Sequence, residues 1–167
     1  MLMRDVMLVV VLSIAVFTDV RTGKIKNWLT FPAIVSGPVV NWIDGGMPQA
    51  MSSLAGLAVM VLVGAVLAIL KITGGGDIKL LVAVGSLVGM PLVAESLAFS
   101  AFAGGLLAIA VLIKQRRALS TTKQVAQQVW MRVGLGIEGA MQFSGRTKIP
   151  YSIAIAAGSI AALFWKL

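Results

Sequence analysis

The chain has 167 residues, 59% of them hydrophobic, with a mean hydropathy of +0.98 and a formal net charge of +8. A soluble domain of this length needs more polar surface, so the apolar excess predicts contact with lipid. Cysteine and histidine are both absent, which excludes disulfides, thiol nucleophiles, serine–histidine triads and metal sites built on histidine or cysteine.

Six apolar stretches follow one another and are predicted to be membrane-crossing helices. They lie at 6–18, 28–43, 50–70, 80–94, 97–113 and 149–165. Only the third has the ~20 residues that cross a bilayer comfortably, so several of the others are expected to extend as helices into the headgroup region. The predicted fold class is therefore all-α, a polytopic bundle of six transmembrane helices. No internal repeat or linker divides it, which indicates a single membrane-embedded domain over residues 1–167.

The first stretch has some features of a signal peptide, because Arg4 precedes an apolar run. Asp5 interrupts the basic start, however, and no A-x-A cleavage site precedes Asp19. We therefore expect a retained helix.

Basic residues lie mainly in the connections on one side of this layout. Twelve of the 14 lysines and arginines lie there, against Arg4 and Lys166 on the other side. The twelve are Arg21, Lys24, Lys26, Lys71, Lys79, Lys114, Arg116, Arg117, Lys123, Arg132, Arg146 and Lys148. The positive-inside rule places this side in the cytoplasm and both termini outside. The charge suits anionic lipid headgroups, and no nucleic-acid partner is expected.

Residues 114–148 form the longest predicted cytoplasmic connection. Apolar side chains recur in it every four residues, at Val125, Val129, Val133, Ile137 and Met141. This spacing predicts an amphipathic helix on the inner membrane surface. Adhesion to the membrane is its expected role, and substrate docking is the alternative.

Two of the six acidic residues, Asp19 and Asp77, are the candidates for chemistry. Asp19 ends the first predicted helix and Asp77 begins the fourth, so both lie at the cytoplasmic membrane edge. A carboxylate is costly beside hydrocarbon, which favours a functional role there. The alternative is a pair of helix-end charges in water, or in ion pairs with Arg21 and Lys79. The others fall where solvated charge is ordinary: Asp5, Asp44, Glu95 and Glu138.

Three glycines, Gly74, Gly75 and Gly76, directly precede Asp77. A helix start does not need them, since Asp alone is a good cap. They leave space for an extended peptide beside the carboxylate, although a flexible hinge is the alternative. Two neighbouring carboxyl groups share one proton, so the ionised one activates water while the protonated one polarises a scissile carbonyl. No metal or other cofactor is needed for this chemistry.

Three segments resemble the type IV prepilin peptidases. The run Gly74-Gly75-Gly76-Asp77-Ile78-Lys79 matches their G-x-G-D pattern. The segment from Asp19 to Asn27 is similar to their other catalytic segment, an Asp at a helix end followed by basic residues and an Asn, with Lys26 where the family commonly has proline. The run that begins Lys148-Ile149-Pro150-Tyr151 resembles the final helix of the small pilus-assembly members.

The resemblance implies an aspartyl endopeptidase of the bacterial inner membrane that removes the leader of type IV prepilin-like proteins at the cytoplasmic face. The small size resembles the tight-adherence (Flp) pilus branch. Asp19 and Asp77 would be the catalytic pair, and a prepilin or pseudopilin helix would be the partner. The implied substrate-contacting residues are Gly74, Gly75, Gly76, Asn27, Lys79, Lys148 and Tyr151. The N-terminal methyltransferase region of longer members has no counterpart here, so methylation is not implied.

Two other classes of function remain open. A small transporter or channel would use Asp19 and Asp77 to carry protons or cations, although a transport site is expected nearer the middle of the membrane. A non-catalytic assembly subunit would tolerate neutral residues at both positions. A presenilin-like relative is disfavoured, because the chain lacks a Pro-Ala-Leu segment.

Overall fold

The computed structural model describes residues 3–70, 73–90, 92–114 and 151–165. These residues form five α-helices and no strand, which confirms the all-α class for this part of the chain. The helices are α1 (Met3–Thr22), α2 (Asn27–Ile69), α3 (Gly75–Val88), α4 (Leu92–Lys114) and α5 (Tyr151–Trp165). The predicted surface helix between 114 and 148, and Lys148 with it, lie outside the described residues.

The second and third apolar stretches form one element, α2, which is interrupted at Gly45 and Gly46. Gly46 has a φ of +70°, a backbone conformation that residues with a side chain rarely adopt. The interruption falls inside the predicted connection at 44–49. The turn therefore lies where the sequence predicts it.

The two halves of α2 pack on α3 in opposite directions. Along the first half, Asn27 bonds to Lys79 and Asn41 bonds to Leu87, so this half runs parallel to α3. Along the second half, Gly56 lies against Gly85, whereas Gly64 lies against Ile78. This half is therefore antiparallel to α3. Together the halves form a helical hairpin with α3 against both arms.

The described helix α3 has 14 residues, so the fourth predicted stretch, 80–94, does not form one continuous helix. Helix α3 ends at Val88, where Gly89 has a φ of +67°, and α4 begins at Leu92. The buried Asn41 amide closes this end of α3 by donating to the carbonyl oxygens of Gly37 and Leu87, each at 2.9 Å. The end of α3 and the start of α4 thus both fall inside one stretch that hydropathy alone joins.

The beginning of α1 is held by Asp44, a residue expected from the sequence to be an ordinary solvated charge. Its Oδ1 accepts from the backbone N–H of Met3 at 3.1 Å, and its Oδ2 accepts from that of Arg4 at 2.8 Å. The first N–H groups of a helix have no partner within the helix, so a carboxylate there satisfies them and complements the helix dipole. Asp44 is thus a cap for α1.

The centre of the helical packing is apolar, whereas many large apolar side chains also face outward. At most 1% of each of these central side chains is exposed: Leu8, Leu12, Met60, Leu80, Val84 and Leu87. On the outside, Val35 and Leu62 are each 71% exposed. Among the described helices, α2 is long and apolar enough to cross a membrane, while 92–107 of α4 and all of α5 are shorter apolar helices.

The chain divides into two compact units, one comprising residues 1–104 and 150–167 and the other comprising 105–149. In the second unit the structure describes residues 105–114, the last part of α4. Asp19, Asp77 and the glycines before Asp77 all belong to the first unit.

Candidate active site

The two candidate aspartates lie at neighbouring helix ends. Asp19 is in the last turn of α1, and Asp77 is in the first turn of α3. Helix α1 stops just after Asp19 because Gly23 takes a φ of +61° and donates its N–H to the Asp19 carbonyl oxygen at 2.7 Å. The Asp19 side chain is therefore fixed at a terminated helix rather than within a continuing one.

Gly76 allows the start of α3 to lie against the loop that follows α1. A Cβ atom at Gly76 would be 3.3 Å from the Cβ atom of Ile25 and 3.5 Å from its backbone nitrogen. These separations are tighter than, or at the limit of, ordinary van der Waals contact, so a side chain here would press on the loop. One function of the glycine run is thus to bring the Asp77 segment against the Asp19 segment.

Asp77 is half-buried and precedes the apolar part of α3. Burial, and secondly the negative charge of Asp19, raise the pKa of the Asp77 carboxyl from 3.8 to about 6, while a hydrogen bond with the Gly74 backbone acts in the opposite direction. Because the charge of Asp19 acts on Asp77, the two carboxyl groups form one electrostatic site. The Asp19 carboxyl is therefore close enough to affect the proton on Asp77.

The three glycines differ in their surroundings. A Cβ atom at Gly74 would lie 3.3 Å from Oδ2 of Asp77, whereas a Cβ atom at Gly75 would meet nothing within 4 Å. Gly74 and Gly75 are both exposed. The space around Gly75 is therefore open, whereas the Asp77 carboxyl lies directly beside Gly74.

A buried serine that the sequence patterns did not single out contacts Asp19. Ser152, on the first turn of α5, donates its hydroxyl to Oδ2 of Asp19 at 2.6 Å. The sequence offered one signal for Ser152: it directly follows Tyr151, in the third of the segments that resemble the prepilin peptidases. The aromatic residue is the more conspicuous of the two, but the hydroxyl beside it makes the contact.

Two predicted substrate-contacting residues bond to each other. The Lys79 ammonium donates to Oδ1 of Asn27 at 2.9 Å and lies 5.4 Å from the centre of the Phe31 ring. Arg21 stacks on Phe17, with its guanidinium carbon 4.4 Å from the ring centre. In the described part of the chain, neither basic residue forms the ion pair with Asp19 or Asp77 that was one of the alternatives. Lys79 and Asn27 instead join the beginnings of α2 and α3.

Tyr151 faces α4. A Cβ atom at Gly104 would lie 3.6 Å from Cε1 of its ring, so the ring packs against this glycine. Its neighbour Ser152 faces α1, and the first turn of α5 thus contacts both helices. The structure brings together Asp19, Asp77 and Ser152 with the glycine run, and it sets Tyr151 to one side.

This arrangement suits acid–base chemistry on a carbonyl compound. An ionised carboxylate accepts a proton from water, and a neighbouring carboxyl that keeps its proton at higher pH donates a hydrogen bond to a carbonyl oxygen. The open space at Gly75, two residues before Asp77 in the chain, has room for an extended backbone.

Comparison with known proteins finds a matching family. A family model described as the type IV leader peptidase family matches residues 6–109, which include Asp19, Asn27, the glycine run, Asp77 and Lys79. No curated protein and no solved structure matches the chain. Because the family model covers more than half of the sequence, the chain belongs to the type IV leader peptidase family.

Proposed function

We propose that the protein is a membrane aspartyl endopeptidase that removes the leader peptide of type IV prepilin-like proteins, with Asp19 and Asp77 as its catalytic pair. Membership of the leader peptidase family supports the reaction class. The convergence of two carboxyl groups from the end of α1 and the start of α3 carries the mechanistic part of the proposal.

In the proposed reaction the two aspartates have different roles. Asp77 holds the proton and donates a hydrogen bond to the scissile carbonyl oxygen, while ionised Asp19 accepts a proton from the attacking water. The water oxygen bonds to the carbonyl carbon, and the carbon–nitrogen bond then breaks as Asp19 passes the proton it took from water to the leaving amine. Both aspartates thus return to their starting protonation states. General acid–base catalysis of this kind contributes about 10²–10⁴-fold in rate.

The glycine run is the proposed place of the substrate backbone. A Cβ atom at Gly75 would have no neighbour within 4 Å, so an extended leader segment can lie there beside Asp77. The hydrophobic helix of the prepilin would then pack against apolar surfaces of the bundle. Asn27 and Lys79 contribute by holding the starts of α2 and α3 together, and Lys148 and Tyr151 remain candidates for substrate contact.

The proposed setting is the bacterial inner membrane, crossed six times within one peptidase domain. The two arms of α2 would supply two crossings, and α1, α3, α4 and α5 would supply the others. The hairpin form of α2, its apolar length and the outward-facing apolar side chains support this layout. The basic residues beside Asp19 and Asp77 support a cytoplasmic position for the site, near anionic headgroups.

Leader removal by variants with neutral residues tests the proposal. Asp19→Asn and Asp77→Asn each keep the side-chain shape but remove the acid–base function, so we expect each to lower cleavage of a co-expressed prepilin by about 10²-fold or more. Glu95→Gln is the matched control, because it removes one negative charge beyond the other end of α3, in the first turn of α4.

The readout is the mobility shift of the processed prepilin on a gel. Near wild-type processing by either aspartate variant would contradict the proposal. If processing persisted while an ion flux was lost, the aspartates would belong to a transporter instead.

A further inference from the structure

Ser152 has a contact that differs from those of the other serines on the described helices. Ser13 and Ser36 donate to carbonyl oxygens of their own helices, at 2.7 Å each, which is the usual arrangement for a serine in an apolar helix. Other serines donate to backbone carbonyl oxygens of a neighbouring helix: Ser53, Ser86 and Ser100. Ser152 instead donates across to a carboxylate on α1. The Ser152 hydroxyl therefore bonds to a side chain of the candidate site and not to a backbone carbonyl.

The bond between Ser152 and Asp19 is short and buried. The 2.6 Å separation of Ser152 Oγ and Asp19 Oδ2 lies near the short end of the range for O–H···O hydrogen bonds. Ser152 is 0% exposed, so water does not replace the serine hydroxyl. A buried hydrogen bond to a charged group restricts the orientation of that group more than an exposed one does.

The bond also makes the two carboxylate oxygens of Asp19 differ in their hydrogen bonding. Oδ2 accepts from Ser152, whereas Oδ1 accepts no hydrogen bond from the residues that the structure describes. If Oδ2 lost this donor, the carboxylate would rotate more freely about its bond to Cβ. The productive orientation would then be occupied for less of the time.

We propose that Ser152 is a positioning residue that orients the Asp19 carboxylate for proton transfer from water. This inference rests on the proposed function, because it assigns Asp19 the role of base. It adds α5 to the catalytic arrangement, beyond the part of the chain that the family model matches.

The first test compares Ser152→Ala with Ser159→Ala. Both serines are on α5 and are 0% exposed, but the Ser159 hydroxyl has no hydrogen-bond partner among the described residues. We expect Ser152→Ala to lower kcat for leader cleavage about tenfold with KM within about twofold, because the bond orients the base rather than the substrate. Ser159→Ala should leave both constants within about twofold.

A second pair separates the hydrogen bond from packing. Ser152→Thr keeps the hydroxyl, and Ser152→Val has nearly the same shape as the threonine variant without it. Threonine should restore most of the wild-type kcat, and valine should be about tenfold lower than threonine at a similar melting temperature. Equal kcat values for threonine and valine, or an unchanged kcat in Ser152→Ala, would overturn the role of Ser152.

The aspartate variants measured beside them keep the two claims apart. If Asp19→Asn and Asp77→Asn are inactive while the Ser152 variants cleave normally, only the positioning role fails. If the aspartate variants cleave normally, the proposed function fails, whatever the Ser152 variants do.

Discussion

At the residue scale, the proposed chemistry depends on how burial and one neighbouring charge change the pKa of a single carboxyl group, that of Asp77. The raised pKa of Asp77, at about 6, results mainly from burial and secondly from Asp19. A carboxyl group with this pKa keeps a proton where an ordinary aspartic acid has lost it. Asp77 can therefore act as an acid at mildly acidic pH, as the proposed reaction requires.

The first prediction concerns the pH dependence of cleavage. If Asp77 must be protonated, kcat/KM should fall about tenfold per pH unit well above its pKa, because kcat/KM reports the ionisation of the free enzyme. The measured limb should centre near a pH of about 6, as a property of the coupled pair. A rate that stayed constant from about pH 6 to about pH 9 would contradict a proton-donating role for Asp77.

The second prediction distinguishes the glycines beside Asp77. A methyl group at Gly74 would press on the Asp77 carboxyl at 3.3 Å, whereas one at Gly75 would enter open space. Gly74→Ala should therefore lower kcat by disturbing the acid. Gly75→Ala should raise KM while the melting temperature stays within about 2 °C, because it narrows the approach of the substrate without touching the fold.

Kinetics of the two alanine variants with a purified prepilin check this distinction. Wild-type KM in Gly75→Ala would show that the substrate does not pass there. The wild-type chain and Gly105→Ala are suitable references, since a Cβ atom at Gly105 also meets nothing within 4 Å.

Sequence reasoning identified the aspartates and glycines because their signals are local. An acidic residue at each of two helix ends, with glycines before one of them, can be read from the chain order and the hydropathy pattern. The Ser152–Asp19 and Lys79–Asn27 contacts were not predictable in that way. Each joins residues from different helices, and their meeting depends on how the helices rotate and pack.

At the element scale, α2 and α3 are joined by contacts that need small or precisely placed side chains. A Cβ atom at Gly56 would lie 2.5 Å from the Gly85 carbonyl oxygen, and one at Gly85 would lie 2.7 Å from the Gly56 carbonyl oxygen. Small residues let helices approach closely where no hydrophobic force between them is available, as in a membrane. This contact holds α3, and with it Asp77, in place.

The third prediction follows from this close approach. Gly56→Ala should lower the free energy of unfolding by about 1–3 kcal/mol, because the added methyl meets backbone that cannot move aside easily. Gly105→Ala is the matched control and should be neutral or stabilising by up to about 1 kcal/mol, since alanine favours a helix and the site is open.

Thermal unfolding of the purified variants in detergent measures both effects. Equal melting temperatures for Gly56→Ala and Gly105→Ala would show that the α2–α3 contact is looser than the structure indicates. If Gly56→Ala loses both stability and cleavage activity, the result would agree with the view that the position of α3 determines the position of Asp77.

The helices themselves were predictable to different degrees. Each described helix overlaps at least one of the predicted apolar stretches, and the turn at Gly45–Gly46 fell in the expected connection. The division of 80–94 into the end of α3 and the start of α4 was less visible, because Gly89 and the apolar residues around it do not interrupt the hydropathy. The side chain of Asn41, on α2, donates a hydrogen bond to the Leu87 carbonyl oxygen at the end of α3. A hydropathy pattern cannot predict a contact of this kind between two helices.

At the scale of the whole molecule, the proposed site requires that Asp19 and Asp77 lie on the same side of the membrane. The hairpin of α2 places its turn at the end opposite the starts of α2 and α3, where Lys79 bonds to Asn27. A membrane around the bundle would then separate the loop at Lys24 from the turn at Gly46. The sequence predicts that the Lys24 side is cytoplasmic.

The fourth prediction concerns this topology, and the absence of native cysteine makes it simple to test. Lys24→Cys should react with a membrane-impermeant maleimide only from the cytoplasmic side. Met47→Cys, in an exposed position just after the turn, should react only from the opposite side. Labelling of both cysteines from one side would contradict the proposed crossings of α2.

The central claim is that Asp19 and Asp77 act as one unit, and a double-variant comparison tests it most directly. Leader cleavage is measured with purified wild type, Asp19→Asn, Asp77→Asn and the double variant against one prepilin. Groups that act together lose their function together, so each single variant should lose about 10²-fold or more and the double variant should lose little beyond that. Cleavage near the wild-type rate in either single variant, or losses that multiply in the double variant, would contradict a shared catalytic pair.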